Sequence, residues 1–86
     1  MAKYRIQFKK SVARDLRNLP KKDVKKILAK IEALAEDPRP PGVKKLSGRD
    51  YYRVRQGMYR IVYQIADDLL IVYVIRVAHR SGVYRL

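Results

Sequence analysis

The sequence predicts an α+β domain: an N-terminal strand, a helical hairpin and then a three-stranded antiparallel meander, with the helices packed on one face of a single sheet. Three observations predict it. Tyr4, Ile6 and Phe8 alternate with Lys3, Arg5 and Gln7, the two-residue period of a half-buried strand. Apolar residues then recur at helical spacing on both sides of Pro20. Beyond a proline-rich stretch, alternation returns in successive segments separated by turn residues. A chain of 86 residues buries a little over ~60% of its unfolded surface, enough for one core and not two, so residues 1–86 are expected to form a single domain.

Each element follows from its local pattern. Val12, Leu16 and Leu19 fall at i, i+4 and i+7, which predicts a short amphipathic helix over residues 10–18. Pro20 ends it and is expected to serve as the first residue of the next helix, where a fixed φ and a missing N–H are tolerated. Val24, Ile27, Leu28, Ile31, Leu34 and Ala35 then make one apolar stripe, and lysines cover the rest as far as Asp37-Pro38. So short a turn predicts an antiparallel hairpin on one side of the sheet. Residues 38–48 read as a loop, because Pro38, Pro40 and Pro41 remove donors and fix φ.

The meander begins at Tyr51. Tyr52 and Val54 share one face, Arg53 and Arg55 the other, and Gln56-Gly57-Met58 offers a tight turn. Tyr59, Ile61, Tyr63 and Ile65 alternate with Arg60, Val62 and Gln64 before Ala66-Asp67-Asp68 turns the chain. The last run, Leu69 to Ile75, is too short for a membrane span of ~20 residues and is β-branched, so it reads as a strand covered on both faces. Strict alternation sends Ile71, Tyr73, Ile75 and Val77 toward the helices, with Val72, Val74, Arg76, Ala78 and Arg80 on the far side. Arg53, Arg55, Arg60, Arg76 and Arg80 are thereby expected together on the open face.

Composition narrows the chemistry. The net charge is +13, from 21 Lys and Arg against 8 acids, whereas small domains usually stay within about 8 of zero. The expected partner is a polyanion, and nucleic acid is favoured because no basic amphipathic segment looks suited to a membrane surface. The chain has no cysteine and a single histidine, which excludes thiolate nucleophiles and disulfides and argues against a zinc site; no metal and no cofactor are expected. The N-terminus Met1-Ala2-Lys3-Tyr4-Arg5 has no apolar signal region, so the expected compartment is the cytoplasm.

Five guanidiniums on one face repel one another unless an anion sits among them, and the planar fork of Arg matches phosphate. Tyr51, Tyr84 and His79 add ring faces on which unstacked bases can rest. There is no glycine-rich phosphate loop and no nucleophilic Ser/His/Asp set. The accessible phosphate reaction is therefore attack by the 2′-hydroxyl of RNA on its own adjacent phosphodiester, with the protein supplying a base, cations for the dianionic transition state and a polarising group for the leaving oxygen. One histidine excludes a two-imidazole mechanism. Tyr84 is a base candidate if the arginine field lowers its phenol from about 10, and a macromolecular surface that holds the RNA in line would supply several kcal/mol of the barrier.

The order of these motifs resembles a family. Lys45-Leu46-Ser47-Gly48, Tyr52-Arg53-Val54-Arg55, Tyr59-Arg60-Ile61-Val62-Tyr63 and His79-Arg80-Ser81-Gly82-Val83-Tyr84 resemble, along essentially the whole chain, the RelE toxins of bacterial and archaeal toxin–antitoxin pairs. The resemblance implies a metal-independent, ribosome-dependent mRNA endonuclease that enters the ribosomal A site, on the small subunit, cuts within the codon, leaves a cyclic phosphate and so inhibits translation. It implies that Arg53 and Arg55 fill the paired basic positions, Arg60 and Arg80 act as transition-state cations and Tyr84 sits beside the scissile phosphate. Lys44, Lys45, Arg76, His79 and Arg85 are then candidate RNA contacts, and a small acidic RelB-like antitoxin is the implied partner. Family members often carry lysines where this chain has Arg53 and Arg55, and arginine, unlike lysine, does not give up its proton. His79 alternates onto the helix-facing side, which favours a structural or stacking role over a general acid. Two other readings stay open: a ParE-like toxin that poisons DNA gyrase without cutting RNA, and a nucleic-acid-binding domain with no catalysis.

Overall fold

A computed structural model describes residues 3–46 and 50–79. Its elements are β1 (Arg5–Phe8), α1 (Ser11–Arg17), α2 (Lys21–Ala33), β2 (Lys44–Lys45), β3 (Tyr51–Gln56), β4 (Tyr59–Ala66) and β5 (Ile71–His79). They form one five-stranded mixed sheet in the order β1-β5-β4-β3-β2. The meander is antiparallel, while β1 runs parallel to β5 at the far edge, with Arg5 beside Ile71 and Phe8 beside Val74. This fixes the position of the first strand, which local pattern leaves open.

Both helices lie on one face. Val12 of α1 and Ile27, Ile31 and Leu34 of and just beyond α2 are buried against Val54, Ile61, Tyr63, Val72, Val74 and Val77 of the sheet. Pro20 is the N-cap of α2 rather than its first helical residue. Its extended ψ of 141° aims its carbonyl at the N–H groups of Asp23 and Val24. Asp23 in the first turn and Lys30 in the last complement the helix dipole. The apolar stripe of α2 is narrower than its spacing implies, because Leu28 is 39% exposed and lines a shallow recess with Phe8 and Leu16.

Two further elements depart from expectation. Lys44–Lys45, inside the proline-rich segment, pairs antiparallel with Arg53 and Tyr52, so the meander has four strands and not three. The turn before it explains how prolines lead into a strand: Val43 donates to Pro40 O at 3.1 Å, with Pro41 and Gly42 between them and Gly42 at φ +89°, a conformation that side chains rarely adopt. The second departure is a bulge in β5. Val62 pairs with Arg76 but the next β4 residue, Tyr63, pairs with Val74, which leaves Ile75 without an opposite number. The expected alternation therefore fails in the first half of the strand: Val72 and Val74 face the helices, not Ile71 and Tyr73. After the extra residue the parity reverses, so Val77 is again in the helix-facing core. Val62 and Ile75 are buried outside that core cluster.

A polar cluster fastens the proline-rich segment to the end of the sheet. Arg39 donates to Asp67 Oδ1 and Oδ2 at 3.1 and 2.9 Å, Tyr4 OH donates to the same Oδ1 at 2.7 Å, and the Arg39 guanidinium lies 5.3 Å from the Tyr52 ring centroid. The Arg39 hydrogen bonds, then that of Tyr4, hold the Asp67 carboxyl down at about 2. A carboxyl of depressed pKa stabilises the fold above its unfolded value of about 3.9 and loses that contribution as pH falls toward the folded value. The expected result for Asp67→Asn is a lower urea midpoint than wild type at pH 6, with the gap narrowing between about pH 4 and pH 2. A gap independent of pH would show that the ion pair contributes nothing.

Candidate nucleic-acid interface

The sheet face that carries no helix among the described residues is set by register. On β3, Tyr52 and Val54 pack toward the helices, so Arg53 and Arg55 stand on the other side. On β4 the helix-facing residues are Tyr59, Ile61, Tyr63 and Ile65, which leaves Arg60, Val62 and Gln64 opposite. Arg55 is directly across from Arg60, and Arg53 and Arg76 flank Val62 from the two neighbouring strands. Four guanidiniums thus share adjoining rungs of three strands. Like charges directly opposed across a ladder are unfavourable, and an anion over the face removes that repulsion. Arg60 is only 8% exposed, Arg53 and Arg76 are half-buried and Arg55 is exposed.

The bulge decides that Arg76 joins this set. With Ile75 as the extra residue, Val74 and Val77 both reach the core and Arg76 falls beside Val62. Past the end of β1, where Lys9 N donates to Val74 O at 2.8 Å, the outer edge of β5 is met by α1: Val77 N donates to Asp15 Oδ2 at 3.1 Å. Asp15 is a residue that sequence pattern does not single out, because its partner is distant in the chain.

The remaining candidates divide. Lys44 pairs with Arg53 and so extends the basic face at its edge. Lys45 pairs with Tyr52, on the helix-facing side, and makes an exposed ion pair with Asp50 at 3.8 Å. His79 also lies on the helix-facing side, paired with Tyr59 and edge-on to its ring at a centroid distance of 5.9 Å. The Tyr59 hydroxyl donates to Asp23 Oδ2 at 2.8 Å, and this hydrogen bond raises the phenol above its ordinary value. Arg80, Tyr84 and Arg85 lie outside the described residues, as do Ser47 and Gly48 of the Lys-Leu-x-Gly motif. Among the described residues no cluster of three His, Cys, Asp or Glu side chains is arranged to hold a metal ion, and no helix is long and apolar enough to cross a membrane. The arrangement can bind a phosphodiester backbone and stabilise negative charge that develops on it.

Comparison with known proteins agrees with this architecture. Residues 6–84 match the family model of the ParE toxin of the type II toxin–antitoxin system parDE. RelE1 of Methanocaldococcus jannaschii is 34% identical over 87 residues, covering 96% of this chain and 97% of its own. Toxin RelG of Mycobacterium tuberculosis is 32% identical over 90 residues, covering 95% and 97%. Among solved structures, the archaeal RelE–RelB complex of Pyrococcus horikoshii superposes with a TM-score of 0.82 at 30% identity, over 95% of this chain and 99% of that one.

Proposed function

Because the chain belongs to the RelE/ParE toxins of type II toxin–antitoxin systems, we propose that it is a ribosome-dependent mRNA endonuclease held in check by a cognate RelB-like antitoxin. The observation that carries this reading is the register that gathers Arg53, Arg55, Arg60 and Arg76 on the helix-free face. In the proposed reaction the 2′-oxygen of the substrate attacks its own 3′-phosphorus, the bond to the 5′-oxygen breaks, and a 2′,3′-cyclic phosphate and a 5′-hydroxyl result. The arginines offset charge on the phosphoryl oxygens as it grows. The proton of the 2′-hydroxyl goes to a base, for which Tyr84 is the candidate, and the leaving oxygen takes a proton from an acid or water. Arg80 is proposed as a further transition-state cation, with Lys44, Lys45 and Arg85 in outer RNA contacts. Dependence on the ribosomal A site is part of the proposal, because a surface that holds the message in line supplies several kcal/mol of the barrier. The antitoxin reading is supported by the solved complexes of similar toxins, such as the Pyrococcus horikoshii RelE–RelB pair.

The test is primer extension on a defined message, with the purified protein added to programmed ribosomes and to free RNA. In-codon cuts are expected with ribosomes and none without. A second reading has its own support, since the matched family model is described by the ParE toxin: inhibition of DNA gyrase with no RNA cut. An intact message on ribosomes together with blocked supercoiling by gyrase would replace the nuclease reading with that one.

A further inference from the structure

The end of the sheet where β3 turns into β4 holds a recess of about 330 Å³, lined by Asp23, Lys26, Gln56, Met58, Tyr59 and His79. Gly57, at φ +59° in the first central position of a two-residue hairpin, also lines the recess. The recess lies on the helix-bearing side of the sheet, around the β3–β4 end from the arginine face. Gln56–Tyr59 is the final β3–β4 rung, one residue step of ~3.3 Å beyond Arg55–Arg60, and Tyr59 in turn pairs with His79. A single strand laid over the arginines would reach this recess by rounding the end of the sheet at that rung.

The lining says what fits. Two rings set at 86° to each other form its aromatic wall. Tyr59 fixes one oxygen of Asp23 by donating to Oδ2, which leaves Oδ1 to accept from a ligand, while Lys26 and the Gln56 amide supply donors. A phosphate is disfavoured by the Asp23 carboxylate. A flat, neutral ring with donors and acceptors on its edge satisfies every wall, and the lysines on the same helix, Lys21, Lys22 and Lys25, keep the approach favourable for a polyanion. We propose that this recess is a nucleobase subsite, which takes an unstacked base of the single-stranded RNA whose backbone lies on the arginine face. The ring rests against His79 and Tyr59, and its polar edge meets Asp23, Lys26 and Gln56. The proposal rests on the RNA reading of that face, and it assigns His79 a recognition role rather than a proton-transfer one.

His79 is the sole histidine, so its imidazole resonance is assigned without ambiguity. The probe is a 2′-O-methyl RNA tetranucleotide, which lacks the attacking hydroxyl and stays intact, compared with an abasic 2′-O-methyl tetramer of equal charge. Titrated into the whole chain, the tetranucleotide is expected to shift the His79 signal to saturation and the abasic tetramer to leave it in place. His79→Ala should weaken the tetranucleotide by roughly 5- to 100-fold, as loss of one base–aromatic stack does, and leave the abasic affinity as it was. An imidazole signal unmoved at saturation, equal affinity for both tetramers, or no binding of either overturns the subsite. Because neither tetramer can be cut, failure of ribosomal cleavage would sink the nuclease reading while this titration still decides the recess.

Discussion

Arg60→Ala is expected to slow in-codon cutting on programmed ribosomes by roughly 10² to 10³, the loss typical of one preorganised donor to a developing negative charge. Arg60 sits on the central strand of the five-stranded sheet, directly opposite Arg55 on one side and Ala78 on the other. At 8% exposure its guanidinium is withdrawn from bulk water, where the field it exerts is least screened. Arg55→Ala should cost less, because that side chain is exposed and its charge is screened. Arg60→Lys should recover only part of the rate, since a point charge does not reproduce a planar fork of donors. The urea midpoint of each variant, measured alongside, separates lost chemistry from lost fold. Wild-type cutting by a folded Arg60→Ala protein would remove the arginine face from the mechanism.

The second large effect is on stability. Tyr63→Ala should destabilise the protein by about 3–5 kcal/mol, the range for deleting a buried aromatic ring, out of a total of about 5–15 kcal/mol for a small domain. Tyr63 is fully buried, stacks on Tyr52 at a centroid distance of 6.0 Å and donates its hydroxyl to Pro38 O at 2.7 Å. Burial is also what pushes its phenol pKa upward. Tyr63→Phe keeps the ring and leaves the Pro38 carbonyl without that donor, so about 1–3 kcal/mol is expected. The two urea midpoints therefore divide packing from hydrogen bonding at one site. Equal losses in both variants would mean that the hydroxyl and not the ring holds the proline-rich segment down.

The parts of the fold legible in the sequence are those where a side chain's environment is set by its own strand or helix. In β3 and β4 one parity is apolar throughout, Tyr52 and Val54 and then Tyr59, Ile61, Tyr63 and Ile65, and the placement of Arg53, Arg55 and Arg60 on the other face follows from counting. In β5 the run from Leu69 to Ile75 is apolar at every position, so periodicity carries no phase and the bulge at Ile75 is invisible. What fixes it is remote: the register imposed by β4 and the carboxylate that α1 brings to Val77. Lys44 and Lys45 are separated onto two faces by a strand that proline content argues against. The Tyr59–Asp23 hydrogen bond, which shapes the recess around His79, depends on where the start of α2 docks, and nothing in the local pattern encodes that.

The parallel pairing of β1 with β5 has a consequence for synthesis. Arg5 and Ile71 are partners, so the first strand made has to wait for β5 before its edge of the sheet exists. Pairings of such long sequence separation form slowly, since the loop must close before contacts reward it. During translation the arginine strands β3 and β4 emerge before β5, but the strand that joins both halves of the sheet comes after them. A chain built in this order completes its sheet only once β5 is free to pair. If the arginine face cuts messages on ribosomes, it does so only after β5 has paired, because that pairing brings Arg76 beside Val62.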